Sequence, residues 1–471
     1  MEISTRTQRE ALRARLGQGQ ALGLFNPLNW TRNDPLRLRL PPGVQLAGIP
    51  AQTDADGSIL CRPELPSLGV VALELAPAGE LSPQTISLPS AIETAFYSAN
   101  VDPQSGALIS LKLKPSGREV LAGPIRLVAE KGGDAHQTPP RPQRPRLATA
   151  SQFKAEFTVT AGPLATVLQV DSTFYGGGRS RQTVRFYKDS PRIDFETELN
   201  DIPNQTVVVA EFPLAGPISE VRRGIPYGFS HGAWGAPRAE LHGFADGIQA
   251  AIRWSHYQFA RGGGVALLDR GLPGRELNGQ TAVLFLLNAQ DFYLGYPCAW
   301  LSGKGNHRAT YALLAHDGDW KSARIPRAAW EFNVEPIFAP GLATTPPTSF
   351  VLTSDQVIVE AMRREGRFVE LRLVESQGFP GEARLTIALP HQQAALTDLT
   401  GARPQALPPG PHYRLQVRPQ QILTLRLATA QPVEEIQPLL KWDELVPANK
   451  LEALRKRLPD RKGHPPRGPV P

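Results

Sequence analysis

Residues 153–200 read FKAEFTVTAGPLATVLQVDSTFYGGGRSRQTVRFYKDSPRIDFETELN. Phe153, Ala155, Phe157 and Val159 fall on alternate positions, as do Val184 and Phe186, then Ile193, Phe195, Thr197 and Leu199. A period of two sends successive side chains to opposite faces of a strand, so each run has one face to bury. Turn signals close the runs: Gly162-Pro163, Gly176-Gly177-Gly178, Asp189-Ser190-Pro191 and, just beyond, Asp201-Ile202-Pro203-Asn204. Strands punctuated at this spacing predict a large antiparallel sandwich that continues to about residue 215.

The same grammar extends in both directions. Upstream, residues 90–128 read as consecutive hairpins, with turns at Asp102-Pro103-Gln104-Ser105-Gly106 and Ser116-Gly117. Short strands are expected from Leu22, with a turn at Thr31-Arg32-Asn33-Asp34 and a half-exposed strand over Pro35–Leu40. Residues 2–16 have the pattern of a short amphipathic helix, Leu12 and Leu16 sharing a face. Downstream, strands are expected near 265–269, 281–288 and 308–315, and a smaller sandwich over 349–428. Residues 131–150 are Pro- and Arg-rich and read as a long surface loop. A polar helix near 444–457 leads into a basic, Pro-rich end expected to be disordered. No tandem repeat is visible.

The composition agrees. In 471 residues there are 46 Pro and 42 Gly but only 2 Met, a load that favours short strands and turns over long helices. No apolar run approaches the roughly 20 residues of a membrane helix, and the N-terminus lacks the apolar core of a signal peptide, so a cytoplasmic protein is expected. Cys61 and Cys298 are too few for a disulfide framework and too far apart for a metal knuckle, and read as packed thiols. The net charge of +7 is scattered, without an RNP motif, zinc finger or basic recognition helix, so neither nucleic acid nor membrane is an expected partner.

Several segments, in order, resemble the part of glycoside hydrolase family 38 α-mannosidases that follows their helical bundle. They include FNPLNWTR (25–32), PSLGVVALEL (66–75), IETAFYSANVDPQSGALISLKLKPSGREVL (92–121), GPLATVLQV (162–170) and QTVRFYKDSPRIDFETELN (182–200). AEFPL (210–214), IPYG (225–228), GVALLDRG (264–271), the Gly-x-His of 305–307 and HDGDW (316–320) continue the series. The resemblance covers roughly residues 22–428. It implies an all-β fold: a large galactose-mutarotase-like supersandwich with smaller sandwiches beside it. The division expected is an N-terminal helix (1–20), small β-sandwich strands (21–86), the supersandwich (87–345), a small C-terminal sandwich (346–428) and a helix with a Pro/Arg-rich tail (429–471), helices lying only at the termini.

The resemblance also says what should be missing. Retaining glycoside hydrolysis needs two carboxylates about 5 Å apart. The family adds a zinc ion on His and Asp, and all these groups lie in its barrel and helical bundle. Their His-x-Asp and His-His-Asp motifs do not occur here, and none of the nine histidines has an Asp or second His at zinc-ligand spacing. Hence no catalytic residue, no metal ligand and no cofactor is assigned to this chain; zinc is expected in a catalytic half outside it. The family often carries an Arg in an L-L-R-S-P strand facing the cleft. Here the segment reads LLNAQDFYLGYPCAWLSGKGNH (286–307), with Asn288 and Ala289 instead, as in a divergent bacterial branch.

The candidate sugar contacts are Tyr227, His231, Trp234, Trp300 and His307, with Gly303 and Gly305 beside them, since aromatic faces stack on pyranose rings and His fixes hydroxyls. His316, Asp317, Asp319 and Trp320 read better as a turn with packing roles than as an acid/base pair, Glu93 and Asp194 as structural, and Arg222-Arg223 as solvent-facing. The leading expectation is the C-terminal region of an α-mannosidase-like glycoside hydrolase in mannose metabolism, supporting the active-site cleft, with its catalytic barrel either separately encoded or lost by gene truncation. The alternatives are a free-standing carbohydrate-binding module, which sugar titration would reveal, and a structural docking domain, which would self-associate through an apolar surface.

Overall fold

The structure, a computed structural model, describes residues 6, 8–10, 12–13, 21–41, 43–54, 56–77, 84–132, 144–232, 248–293, 296–297, 299–341 and 350–430. Among them the fold is all-β, with antiparallel pairing between neighbouring strands. The centre is a sandwich of two sheets. The larger has ten described strands in the order Gly228–Gly232, Ile218–Ile225, Trp254–Phe259, Gly264–Asp269, Asn306–His316, Arg192–Asn200, Arg179–Tyr187, Ala165–Thr173, Ala155–Ala161, Gln84–Ile86. The smaller has six, in the order Arg146–Thr149, Arg126–Lys131, Thr206–Pro213, Thr281–Ala289, Gly274–Asn278, Gln249–Ala250.

The alternation seen in the sequence is the alternation of burial. In Arg192–Asn200, Ile193, Phe195, Thr197 and Leu199 are buried and the residues between them are partly exposed. Phe195 stacks on Tyr311 at 5.3 Å between ring centres, and Phe212 of the facing sheet meets both rings edge-on. These aromatics fill the space between the sheets with Val184, Leu267 and Leu284. The Asp102 turn forms as expected, its carboxylate accepting the backbone N–H groups of Gln104 and Ser105.

Two smaller β units flank the sandwich. Residues 350–428 form a five-stranded and a three-stranded sheet around Leu371, Leu373, Leu385, Leu415 and Leu425. The N-terminal unit places Leu22–Phe25 between Val70–Leu73 and Ile337–Pro340, so the chain returns to its own beginning after the sandwich is complete. The described helical residues near the N-terminus seat Leu12 against Val70 and Ala339 on this small sheet.

Four expectations are corrected. Helices are not confined to the termini: Ile325–Asn333 is an α-helix with Pro326 in its first turn, where a missing N–H costs nothing. It buries Ile325, Ala329 and Phe332 on the outer face of the ten-stranded sheet, against Ala266, Leu268, Ala312, Leu314, Trp254 and Trp320. Residues 131–150 are not all surface loop: Arg126–Lys131 pairs with Arg146–Thr149, and buried Arg144 binds Glu130 at 2.9 Å and Glu276 at 2.8 Å. Arg32, read as a turn residue, is buried and donates to Asp34 and to the carbonyls of Glu331 and Val334. Arg222 is not solvent-facing; its guanidinium covers the Trp320 ring at 5.0 Å. The expected helix near 444–457, the basic tail, Trp234 and Cys298 lie outside the described residues. Cys61 is buried, which pushes its thiol up to about 12.

Candidate functional site

The register of the ten-stranded sheet separates the candidate sugar contacts into two groups. Across neighbouring strands, His231 faces Arg222, Arg222 faces His256, His256 faces Ala266, and Ala266 faces Leu314. His307 lies seven residues before Leu314 on the last of these strands. At about 3.3 Å per residue and about 4.8 Å per strand, His231 and His307 are roughly 30 Å apart. Tyr227 and His231 therefore belong to one edge of the sheet, and Trp300, Gly303, Gly305 and His307 to another place on the molecule.

At the first edge, Tyr227 occupies the turn between Ile218–Ile225 and Gly228–Gly232, with φ 57°. Its ring is exposed, as are Ile225 and Ile252 beside it. Next to them a shallow crevice is lined by Trp254, Trp330, Ile358, Arg253 and Glu360, where the sheet edge, the helix and the C-terminal sandwich meet. Arg253 pairs with Glu360 at 3.2 Å and lies 3.8 Å over the Trp330 ring. Burial raises the Glu360 carboxyl above the usual range against the pull of Arg253. His231 reaches Glu220 at 3.2 Å and is mostly solvent-exposed. Sequence reasoning missed Arg253, Trp330 and Glu360, which come from three separate segments and carry no local motif.

At the second place the chain leaves Thr281–Ala289, makes the short hairpin of Phe292–Tyr293 and Tyr296–Pro297, and enters a helical turn over Ala299–Leu301. Trp300 is 71% exposed and Phe292 44%, two large rings left facing solvent on one loop. The loop is fixed from behind. Gln290 N–H donates to the Leu301 carbonyl at 2.8 Å, and Ile202 N–H to that of Gly303 at 2.8 Å. Asn204 Oδ1 accepts from Ser302 Oγ and Gly303 N–H, each at 3.2 Å. Gly303 is required by close approach: a Cβ there would stand 2.1 Å from the Ile202 carbonyl oxygen. Gly305 needs its positive φ of 83°. His307 turns its Nε2 to the Lys304 carbonyl at 3.2 Å. Phe292 is the residue sequence reasoning passed over, although the aromatic density of 292–300 was its signal.

Among the described residues no three His, Cys, Asp or Glu side chains converge as metal ligands would, so zinc finds no ligand set to fit there. Asp194 binds Arg192 and the Tyr187 hydroxyl, and Glu93 binds Ser98 and Lys114. No described helix is long and apolar enough to cross a membrane.

Residues 92–287 match the family model described as the glycosyl hydrolases family 38 C-terminal domain. The human protein Alpha-mannosidase 2C1 is 26% identical over 455 residues, covering 88% of this chain and 40% of its own length. Its Mus musculus counterpart is 25% identical over 422 residues, covering 82% and 37%. The chain thus spans about two fifths of the length of the curated relatives it matches. Among solved structures, an alpha-mannosidase from Enterococcus faecalis V583 superposes with a TM-score of 0.68 at 14% identity, over 88% of this chain and 58% of that one. A glycosyl hydrolase family 38 protein from Enterococcus faecalis gives 0.66 at 15%, over 88% and 60%. At those identities the likeness is one of fold, and it runs through the flanking β units as well as the central sandwich. Residues 92–287 thus match the C-terminal domain of family 38 glycosyl hydrolases, and the family model, the relatives and the shared fold together support a C-terminal region of that family.

Proposed function

We propose that this chain forms one wall of a family 38 glycosidase cleft and leaves bond cleavage to a catalytic half outside it. The wall is the loop end of the sandwich that carries Phe292, Trp300 and His307. The observation that carries this reading is Trp300, 71% exposed on a loop whose backbone is pinned at Gln290, Gly303 and Ile202. A rigidly mounted ring facing solvent offers a stacking surface for a pyranose, and a mannoside is the ligand class named by the mannosidase relatives. The carboxylate pair and the zinc that the family resemblance implies would reside in a catalytic barrel outside these residues. This chain would orient the sugar and exclude water from one side.

On this reading the chain works in bacterial mannose metabolism. The buried free thiol of Cys61 suits a reducing compartment such as the cytoplasm.

The test combines the chain with a family 38 catalytic half and follows nitrophenol release from nitrophenyl α-mannoside. The chain alone is expected to release none, and the mixture to release it. Trp300→Ala is expected to raise KM about tenfold with the melting temperature unchanged, the loss of one stacking contact. Hydrolysis by the chain alone overturns the reading, as does an unchanged KM.

A free-standing carbohydrate-binding module is the second reading, favoured by the same exposed pair Phe292 and Trp300. Calorimetric heat with mannose, mannobiose or galactose in the absence of any catalytic half supports it; no heat with any of them removes it.

A further inference from the structure

The segment His316-Asp317-Gly318-Asp319-Trp320 forms a turn, with Asp319 Oδ1 accepting the Ser322 N–H at 2.7 Å. It also does something a turn does not require. His316 Nε2 lies 2.9 Å from Nε2 of His256, a residue sixty positions earlier in the chain and fully buried. The rings are 5.1 Å apart and 15° from parallel. They meet across Gly264, where a Cβ would stand 2.6 Å from His256 Nε2, so only glycine leaves the passage open.

The direction of every proton in this contact is fixed. His316 Nδ1 is 2.9 Å from the Gly318 carbonyl, which can only accept, so Nδ1 carries a proton. In the neutral ring Nε2 is then a lone pair, and His256 Nε2 must donate to it. That leaves His256 Nδ1 as a second lone pair, with no hydrogen-bond partner among the described residues. Arg222, opposite His256 on the next strand, has a buried Nη1 that also lacks one.

We propose that the His256–His316 pair is a proton-sensitive latch: neutral, it fastens the 316–320 turn to the sheet at the strand Trp254–Phe259, and a proton on either ring releases it. A proton on His316 Nε2 sets N–H against N–H at the 2.9 Å contact. A proton on His256 Nδ1 faces the Arg222 guanidinium. The other charged groups around the pair are Glu220, which holds Arg222 and His231; Arg118, 3.8 Å from Asp317; and Asp317, Asp319 and Lys321 of the turn itself. Burial lowers both histidines, first and most; His316 and Arg222 push His256 further down, while the Gly318 contact, Asp319 and Asp317 only partly offset burial at His316. Both therefore titrate below their unfolded value of 6.5. Stability from the latch is complete above about pH 6.5 and is lost as the pH falls through the lowered values. The turn runs straight into the helix Ile325–Asn333, so release loosens the element on which the flanking units meet.

Long-range nitrogen–proton NMR on the histidine-labelled chain tests this directly. Expected are a neutral His256 protonated on Nε2 and a neutral His316 protonated on Nδ1 at pH 7.5, both titrating below pH 6.5. Melting temperature is then followed from pH 7.5 to 5.0 for wild type and for His316→Gln, whose amide oxygen accepts from His256 but does not titrate. Wild type is expected to lose about 3 °C or more over this range, and the variant to lose at most half as much. His256 protonated on Nδ1, either ring titrating at its ordinary value, or equal slopes for the two proteins overturns the latch. Should His316→Gln not fold, the wild-type titration alone decides.

Discussion

Glu331 shows how much one side chain is asked to do at a junction. It sits on the helix Ile325–Asn333, and its carboxylate accepts the Trp30 indole N–H at 2.7 Å. Burial, then the charge of Asp34, raise its pKa to about 7, against the opposing pull of the Trp30 hydrogen bond and Arg32. A folded pKa above the unfolded value of 4.5 means the fold prefers the protonated acid. That contribution is complete below about pH 4.5 and is lost as pH rises through about 7. Glu331→Gln keeps an acceptor for Trp30 and removes the charge. It is expected to be more stable relative to wild type at pH 8 than at pH 5 by about 1–2 kcal/mol, the linkage value discounted for the partial exposure of Glu331. Urea unfolding of both proteins at the two pH values measures this; the same difference at both would show that Glu331 titrates normally.

At the scale of elements, legibility followed burial on one face only. Arg192–Asn200 was readable because one face is buried and the other is not. Gly264–Asp269 is buried at every position, so its sequence marks an apolar run and not a period. The helix Ile325–Asn333 was missed because nine residues with Pro in the first turn give only about two and a half turns of pattern, and its helical face exists only against the sheet. His412–Val417 alternates between exposed and buried as cleanly as any strand, a signal in Tyr413, Leu415 and Val417 that sequence reasoning did not single out. The contacts between elements were not legible at all. His256 meets His316, and Arg253 meets Glu360, through strand register and sandwich docking that no local spacing encodes. What was legible has a measurable weight. Phe195 is fully enclosed between Tyr311 and Phe212, in a strand whose pattern gave the fold away. Phe195→Ala is expected to cost about 3–5 kcal/mol through lost burial and the cavity left behind. A denaturant midpoint within error of wild type would mean that the two sheets close over the gap.

Across the whole molecule, the β units meet through apolar contacts, such as Leu60 with Leu164 and Tyr187 and Trp30 with Ile358, and through buried arginines. Arg32 binds Asp34 and caps the end of the helix through the Glu331 and Val334 carbonyls. Arg192, on the outer face of the ten-stranded sheet, binds Asp194 at 2.7 Å and Asp34 at 3.4 Å, and donates to the Pro35 carbonyl. Farther along that face Arg185 holds Asp54, while Arg37 reaches Asp54, Asp56 and Glu196. The N-terminal unit is therefore docked on the sandwich by ions of alternating sign. Such pairs add little against an apolar substitute, but removing one partner leaves a buried charge with nothing to balance it. Arg192 is the sharpest case, because Asp34 and Asp194 are both nearly covered. Arg192→Met is expected to destabilise by about 3–5 kcal/mol. The loss should fall on the docking and not on the sandwich core, whose aromatics point the other way. Calorimetry is then expected to show one endotherm for wild type and two for the variant, an early one for the N-terminal unit and a later one near the wild-type temperature. A single endotherm displaced as a whole would instead mean that the ion pairs and the core form one cooperative unit, and an unshifted one that Arg192 carries none of the docking.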